Sequence, residues 1–503
     1  MKRIVTLMLA MGLVLGAAAN SSAVDVKAKG TMTMEYGWVN HVDFAKGETS
    51  QDRFVAQQRM RTQADFVASE NLAGVLYFEI DNAWGYGNSK TSSGKVGAAS
   101  GGDLGADGVN IETKRAYIDW SVPNTTLSFR MGIQGIALPA AVAGNSILDD
   151  DVAAIVASYK INEDLTASAF WARPYDGSLK GPDHDEIDLF GLVVGVDMDG
   201  MSITPYGMYG AVGRDSATPA GMRSLAGIAG EGTISHVGAT ELTEDTDYNV
   251  DKDMSAYWLG LAFNADLFDP LTFALDFAFG SVDGKKSVLT MDDGTTTTTQ
   301  NLKADYLDRS GWAVNAKLSY KLDDITPGII GWYASGEDKK VSNGSERMPT
   351  ISGAFAPTTF GYDGTSGNYV AQTADAIGTT NVGTWAVGLL VEDMKFIEDL
   401  TSQFRVIYVT GTNDHKVLAD LENKVGISRS NLLPFNFGEV FLTDKDHAWE
   451  VNFDHKYQIY ENLALIAELG YIHLDLKKST WNIDSQDYEK DAWKASFLFQ
   501  YSF

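Results

Sequence analysis

Cysteine is absent from the 503-residue sequence, and basic residues are scarce. Without cysteine the chain can form no thiolate zinc site, iron–sulfur cluster, thiol nucleophile or disulfide. Its 39 Lys and Arg residues face 67 Asp and Glu, and the net charge of −28 removes the electrostatic attraction on which nucleic-acid binding depends. After residue 19 the sequence also lacks any run of about 20 apolar residues, which excludes a bundle of membrane helices.

The one long apolar run predicts a secretory signal peptide. It extends from Ile4 to Ala19, follows a basic start, and precedes small residues at positions 21–23, which is the order typical of such peptides. We place the cleavage after Ala23, so that residues 24–503 form the exported protein. A single-pass anchor is the alternative, but no stop-transfer flank follows the run.

Directly after this segment, apolar and polar residues alternate. Between Val26 and Trp38 almost every second residue is apolar, and Lys27, Lys29 and Glu35 lie between them. Successive side chains of a strand point to opposite faces, so this period predicts a strand with one apolar and one wet face. The same pattern recurs along the chain and continues to Phe503 at its end.

The segments that connect these strands alternate between short turns and long polar loops. Residues 69–71 and 123–125 are typical short turns, whereas residues 85–112 and 337–383 are long and polar. This asymmetry is typical of transmembrane barrels, which have short periplasmic turns and long external loops. We therefore predict an all-β fold: one transmembrane antiparallel β-barrel of about 18 strands, wide enough for an aqueous channel. The strands are predicted to begin near residues 26, 54, 74, 113, 127, 152, 165, 187, 201, 256, 271, 310, 327, 384, 401, 447, 462 and 489, and 16 strands remain possible because those near 152, 327 and 384 have the weakest pattern.

Several segments resemble the homotrimeric outer-membrane porins of sulfate-reducing deltaproteobacteria. The resemblance covers mainly the first 175 and the last 60 residues, and it implies a trimer, a passive channel, no cofactor and an outer-membrane location in contact with lipid and lipopolysaccharide. The aromatic end formed by Phe499, Tyr501 and Phe503 is similar to the signal that the barrel-assembly machinery recognises. The matching segments are residues 1–7, Val26-Lys27-Ala28-Lys29-Gly30, Ala56-Gln57-Gln58-Arg59-Met60-Arg61, Ala68-Ser69-Glu70-Asn71-Leu72 and Tyr77-Phe78-Glu79-Ile80.

Strand parity indicates which charged residues point into the barrel. If Phe54, Met60 and Phe66 face outward, their polar neighbours on the same strand must face inward. Two interpretations stay open: these residues form a charged pore wall, or the arginines only pair with neighbouring carboxylates. Outward Gln58 and Thr62 are unusual in lipid and are tolerable where a second protomer covers them. The candidate pore-lining residues on the first five strands are Arg59, Arg61, Glu79, Arg115, Asp119 and Arg130.

The third long loop, Gly135 to Asp151, differs from the others because its first half is apolar and it ends in Asp149, Asp150 and Asp151. In the porins that this sequence resembles, the loop after the fifth strand folds into the barrel and narrows it. The resemblance therefore implies a constriction in which the three aspartates face Arg59, Arg61, Arg115 and Arg130 across a narrow gap. The alternative is an external loop whose aspartates lie in solvent at the start of the sixth strand.

Other functions are less well supported. The seven histidines are scattered, and no hydrolase, nucleotide or dinucleotide motif occurs, so we expect no enzyme. Residues 183–186 and 444–447 are the acid–histidine candidates for a barrel hydrolase, and they also resemble plain loop charge. Acidic clusters can bind Ca²⁺ or Mg²⁺, but no spacing here indicates either ion. A substrate-specific channel is the nearest rival, although inward Tyr77, Tyr117 and Trp258 form no continuous aromatic track. We expect passive diffusion of ions and small hydrophilic solutes.

Overall fold

Eighteen antiparallel strands form one closed barrel in the computed structural model of the chain. Each strand pairs with the next barrel strand in the sequence, and the first pairs with the last from Thr31↔Ser502 to Asn40↔Trp493. The barrel strands are β1 (Asp25–Asn40), β2 (Arg53–Ser69), β3 (Leu72–Ala83), β4 (Ile111–Ser121), β5 (Leu127–Ala137), β6 (Asp149–Lys160), β7 (Leu165–Asp176), β8 (Glu186–Met198), β9 (Met201–Val212), β11 (Met254–Phe268), β12 (Leu271–Asp283), β15 (Arg309–Tyr320), β16 (Thr326–Ala334), β17 (Thr384–Ile397), β18 (Leu400–Gly411), β19 (His447–Tyr460), β20 (Leu463–Asp475) and β21 (Asp491–Ser502). The structure describes residues 24–42, 44, 53–85, 111–177, 184–216, 247–292, 297–302, 308–340, 342–363, 376–425, 440–483 and 488–503.

The predicted fold class is confirmed, and the lower strand number is wrong. All three weakly patterned segments form strands, as β6, β16 and β17. A separate three-stranded sheet, absent from the prediction, consists of β10 (Asp247–Val250), β13 (Ser287–Asp292) and β14 (Thr297–Leu302). The predicted signal peptide, residues 1–23, lies outside the described residues. In the described part of the chain no helix is both long and apolar enough to span a membrane.

The outer surface of the barrel is mainly apolar. Outward residues such as Leu259 and Leu389 are more than 60% exposed, which is unfavourable in water and stabilising in lipid. Aromatic rings on adjacent strands contact one another at both ends of this face. Near the long loops, Trp312 packs on Tyr333 with centroids 5.0 Å apart, and near the short turns Trp120 stacks on Phe129 at 5.5 Å. Two aromatic girdles around an apolar band are the signature of a membrane-spanning barrel.

The interior is filled unevenly. One buried apolar cluster lines the inner wall from β6 to β16 and includes Trp258 and Leu189. A second lines the wall from β16 to β21 and includes Trp332 and Ile407. Loops from the external end fold down over both clusters. Among the described residues no member of either cluster comes from β2, β3 or β4, and most inward side chains of that wall are charged or polar.

Candidate functional site: the charged inner wall

The wall of β2 and β3 carries two arginine–carboxylate pairs, one above the other. The guanidinium of Arg59 donates to both carboxylate oxygens of Asp81, at 2.8 and 2.7 Å. Arg61 donates to Glu79, its partner in the ladder register. Their inward direction follows from strand parity, as predicted. The arginine side chains are 12% and 14% exposed, so this part of the wall is partly solvated.

The wall continues on β4 and β5 with more exposed pairs. Arg130 donates two hydrogen bonds to Asp119, at 2.7 and 2.9 Å. Its guanidinium lies 4.5 Å from the ring centroid of Tyr117, a cation–π contact that holds the side chain against the wall. Arg115 donates to Asp151 at 2.6 Å and lies over the ring of Tyr77. The Lys114 ammonium joins the same carboxylate at 2.8 Å.

The expected gap between three aspartates and four arginines is not the arrangement that the structure shows. Asp149, Asp150 and Asp151 are the first residues of β6 rather than the end of the loop. Only Asp151 contacts one of the four arginines in the described structure, namely Arg115, while Asp150 accepts a hydrogen bond from the Ser352 hydroxyl at 2.8 Å. The other arginines pair with carboxylates on adjacent strands because those residues lie opposite in the ladder. Arg59, Arg61 and Arg130 are therefore ion-paired along this wall.

The segment between β5 and β6, residues 138–148, folds into the barrel. Leu138, Ile147 and Leu148 are almost fully buried against the inner wall, which explains why an external loop carries apolar residues. On β12, the inward carboxylate of Asp276 accepts hydrogen bonds from the backbone N–H groups of residues 141 and 142, at 2.6 and 3.0 Å. Gly144 has φ +86 and lies so close to the Ala354 carbonyl that a side chain could not fit. We call residues 138–148 the inserted loop.

A second segment, between β16 and β17, also lies inside the barrel. Thr359 donates to the Asp454 carboxylate at 3.0 Å, and its carbonyl accepts from the fully buried Lys494 ammonium at 2.6 Å. The Gly361 N–H donates to Glu450 at 2.9 Å. We call the described part of this segment, residues 335–340, 342–363 and 376–383, the second inserted loop. The sequence analysis assigned it to the exterior and missed Asp276, Glu450, Asp454 and Lys494, although charged residues at inward positions of apolar strands could have revealed them.

Together, the two inserted loops cover the apolar inner walls. They contact each other through the backbone: Ile351 N–H donates to the Ile147 carbonyl at 2.8 Å, and Ala354 N–H donates to the Asn145 carbonyl at 2.9 Å. The inner face of β2 to β5 carries the ion pairs described above. We call this face the charged wall.

The acid–histidine candidates do not form as the sequence suggested. Asp183 lies outside the described residues. The His184 ring pairs with Asp253 at 2.8 Å, while its backbone N–H donates to Glu186 at 3.1 Å. Asp444 pairs with His415 at 2.8 Å, whereas Asp446 is buried and accepts from the Trp481 indole at 3.0 Å. Asp414, His415 and Asp444 place three ligand atoms within 4.8 Å of one another, but Lys445 already neutralises Asp444 at 2.6 Å.

Glu337 makes the second inserted loop sensitive to pH. Burial raises the pKa of its carboxyl to about 7, although the Ser345 hydroxyl donates to it and Arg347 and Arg309 lie near. Below the ordinary glutamate pKa both the folded and unfolded states are protonated, and ionisation costs nothing. Between the ordinary glutamate pKa and about pH 7, Glu337 is ionised in the unfolded state but still protonated in the folded state. The free energy of unfolding therefore falls with rising pH, by about 3 kcal/mol in total.

We expect hydrogen exchange of the backbone around residue 337 to accelerate between pH 5 and pH 7.5, after correction for intrinsic rates. Glu337→Gln keeps the shape of the side chain and removes the titration, so its corrected rates should be equal at both pH values. Identical pH dependence in the wild type and the variant would contradict this assignment.

Comparisons with known proteins show weak likeness in fold. Neither a protein-family model nor a curated protein sequence matches the chain. The solved structure of Pseudomonas aeruginosa OpdL is 14% identical, with a TM-score of 0.48 over 95% of this chain and 99% of its own. Acinetobacter baumannii OccAB3 is 10% identical, with a TM-score of 0.48 over 95% and 100%. Pseudomonas aeruginosa OpdK, solved with vanillate, is 9% identical, with a TM-score of 0.47 over 95% and 98%. The function proposed below is therefore based on the geometry of this chain.

Proposed function

We propose that the protein is an outer-membrane porin: a water-filled channel for the passive diffusion of ions and small hydrophilic solutes. The observation that carries this proposal is the contrast between the two faces of the barrel. The outer face is apolar and has an aromatic girdle at each end, whereas the charged wall keeps ion-paired, partly solvated side chains inside. An apolar outer face around a polar inner wall is typical of membrane barrels that hold a water-filled channel.

The pairing on the charged wall determines the selectivity that we propose. Arg59, Arg61 and Arg130 each have a carboxylate partner, so the wall is nearly neutral and should pass both cations and anions. The net charge of −28 should concentrate cations at the mouth, although it is screened within about 8 Å at physiological salt. We therefore propose a weak preference for cations.

Assembly and location form the finer part of the proposal. The resemblance of β1 and β2 to the porins named above supports a homotrimer. It also supports export by the signal peptide and insertion into the outer membrane in contact with lipopolysaccharide. Two polar outward residues on β2 favour a protein-covered surface there. Gln58 accepts from the Trp84 indole at 3.1 Å, and the buried Thr62 hydroxyl has no hydrogen-bond partner among the residues that the structure describes. A trimer that dissociates on heating is the expected form in detergent.

Liposome swelling tests the channel function. Proteoliposomes should swell in uncharged sugars at rates that fall steadily with sugar size, and heat-denatured protein should give no swelling. Swelling with one solute class alone would contradict passive diffusion and support a substrate-specific channel. Absence of swelling with folded protein would contradict both.

Removal of Phe503 should lower the yield of folded barrel in the membrane and leave export intact. Phe503 closes the barrel: its N–H donates to the Gly30 carbonyl at 3.0 Å, and its own carbonyl accepts from Gly30 at 2.9 Å. Its ring packs on Gly30, where a side chain would meet it at 2.7 Å, and stacks on Tyr501. Heat-modifiable mobility of membrane fractions measures the yield, and Phe503→Tyr is the matched control. Normal folding of the truncated chain would disprove the role.

A further inference from the structure

The external part of the β5–β6 hairpin is detached from both neighbouring strands. The β4–β5 ladder stops at Ala116↔Ile133, although β4 continues to pair with β3 as far as Ile111. The β6–β7 ladder stops at Ala153↔Arg173, although β7 continues to pair with β8 as far as Asp176. Beyond these points β5 and β6 pair with each other up to Ala137↔Asp149. We call residues 134–152 the tongue.

Two residues account for this detachment. Gly132 has φ +134, and an added side chain would lie 2.7 Å from the Tyr117 Cα, so only glycine permits β5 to turn away from β4 at this level. Pro174 on β7 has no N–H to offer to β6. The tongue therefore leaves the wall and carries the inserted loop toward the lumen, with Arg115 and Lys114 bridging to Asp151 at its β4 side.

The position of the tongue must then be set by contacts inside the barrel. Asp276 lies on β12, five strands further around the barrel than β6. Its two oxygens accept from consecutive N–H groups of the loop, Ala141 and Val142, and such charge-assisted bonds are stronger than neutral ones. Tyr206 adds a neutral contact at 3.3 Å to Asn145. The second inserted loop adds backbone hydrogen bonds.

We propose that Asp276 is the positioning residue for the tongue, and that its carboxylate determines how far the inserted loop narrows the channel. This inference rests on the proposed porin function. Among the described residues the tongue has no ladder partner on β4 or β7. Loss of the Asp276 bonds therefore leaves it held by Asp151, Tyr206 and the second inserted loop, and lets it move about Gly132 more often. The channel then fluctuates between the normal opening and other openings.

Single-channel recording in planar bilayers tests the proposal with three variants. Asp276→Ala removes both acceptors and should increase the time spent outside the main conductance level about tenfold, equivalent to 1.4 kcal/mol. Asp276→Asn keeps one acceptor oxygen and should give an intermediate value. Asp283→Asn is the matched control, since its carboxylate is on the same strand and pairs with Lys285; it should behave like the wild type. A steady Asp276→Ala channel would overturn the proposal.

A disulfide between the inserted loop and β12 tests the same proposal even if the alanine variant misfolds, because the two states are compared in one folded protein. The chain has no native cysteine, and the Asp276 carboxylate contacts the backbone N–H of Ala141, so cysteines introduced at these two positions test a disulfide tether across this contact. In the variant with Ala141→Cys and Asp276→Cys, the oxidised channel should be steady and the reduced channel should fluctuate. Equal behaviour in both redox states would contradict the inference. If folded wild-type protein forms no channel at all, the porin function itself fails.

Discussion

Replacing residues 139–147 by an Asn-Gly turn should raise the single-channel conductance severalfold. These residues lie across the interior, where Ile147 is fully buried and Ala141 and Val142 are held by Asp276. Their removal leaves β5 and β6 joined by a turn that hairpins accept readily. Since the barrel wall is closed by its own ladders, the shortened chain should still fold.

The control for this change is a Gly/Ser segment of equal length in place of residues 139–147. This segment keeps chain inside the barrel but removes the buried contacts. Its conductance should therefore be noisy and lie between those of the wild type and the shortened chain. Heat-modifiable mobility in gels establishes folding of each protein before recording. Unchanged conductance of the shortened chain would mean that the inserted loop does not limit the channel.

Combined Arg59→Ala and Arg61→Ala substitution should shift the reversal potential strongly toward cations. Each arginine neutralises a carboxylate on β3, Asp81 and Glu79 respectively. Their loss leaves two uncompensated negative charges on the charged wall, in a partly solvated region where screening by salt is incomplete. The measurement is the reversal potential under a salt gradient.

The opposite change provides the internal check. Asp151→Asn leaves Arg115 and Lys114 without their shared carboxylate and should shift selectivity toward anions. Arg173→Ala is the matched control, because this arginine lies on the outward side of β7 and pairs with Asp188; it should leave selectivity unchanged. If both inner-wall variants keep the wild-type reversal potential, ions do not pass along the charged wall.

Strand periodicity predicted the barrel well because the membrane imposes it. Outward residues within the lipid-facing band are mostly apolar, so β6, β16 and β17 were detectable even with weak patterns. The same parity correctly directed Arg59 and Arg130 inward. Their ion pairs with Asp81 and Asp119 depend on ladder register, which alternation alone does not give.

The contacts of the loops could not be read from the sequence. Asp276 meets residues 141 and 142 from far along the chain, and Lys494 meets Thr359; no local period encodes such pairs. The apolar first half of the third loop did indicate shelter, and the structure shows where that shelter is. Asp149, Asp150 and Asp151 were assigned to the loop because three consecutive aspartates show no alternation of apolar and polar residues. Backbone pairing with β5 nevertheless extends β6 back to Asp149.

Planar-bilayer recording of the purified chain under a salt gradient tests the central claim most directly. The account predicts discrete conductance steps, ohmic near zero voltage, with a reversal potential displaced slightly toward cations and no steps after heat denaturation. Folded protein that gives no steps would contradict the channel, and a reversal potential at the limit for a perfectly selective pore would contradict the neutral, ion-paired wall.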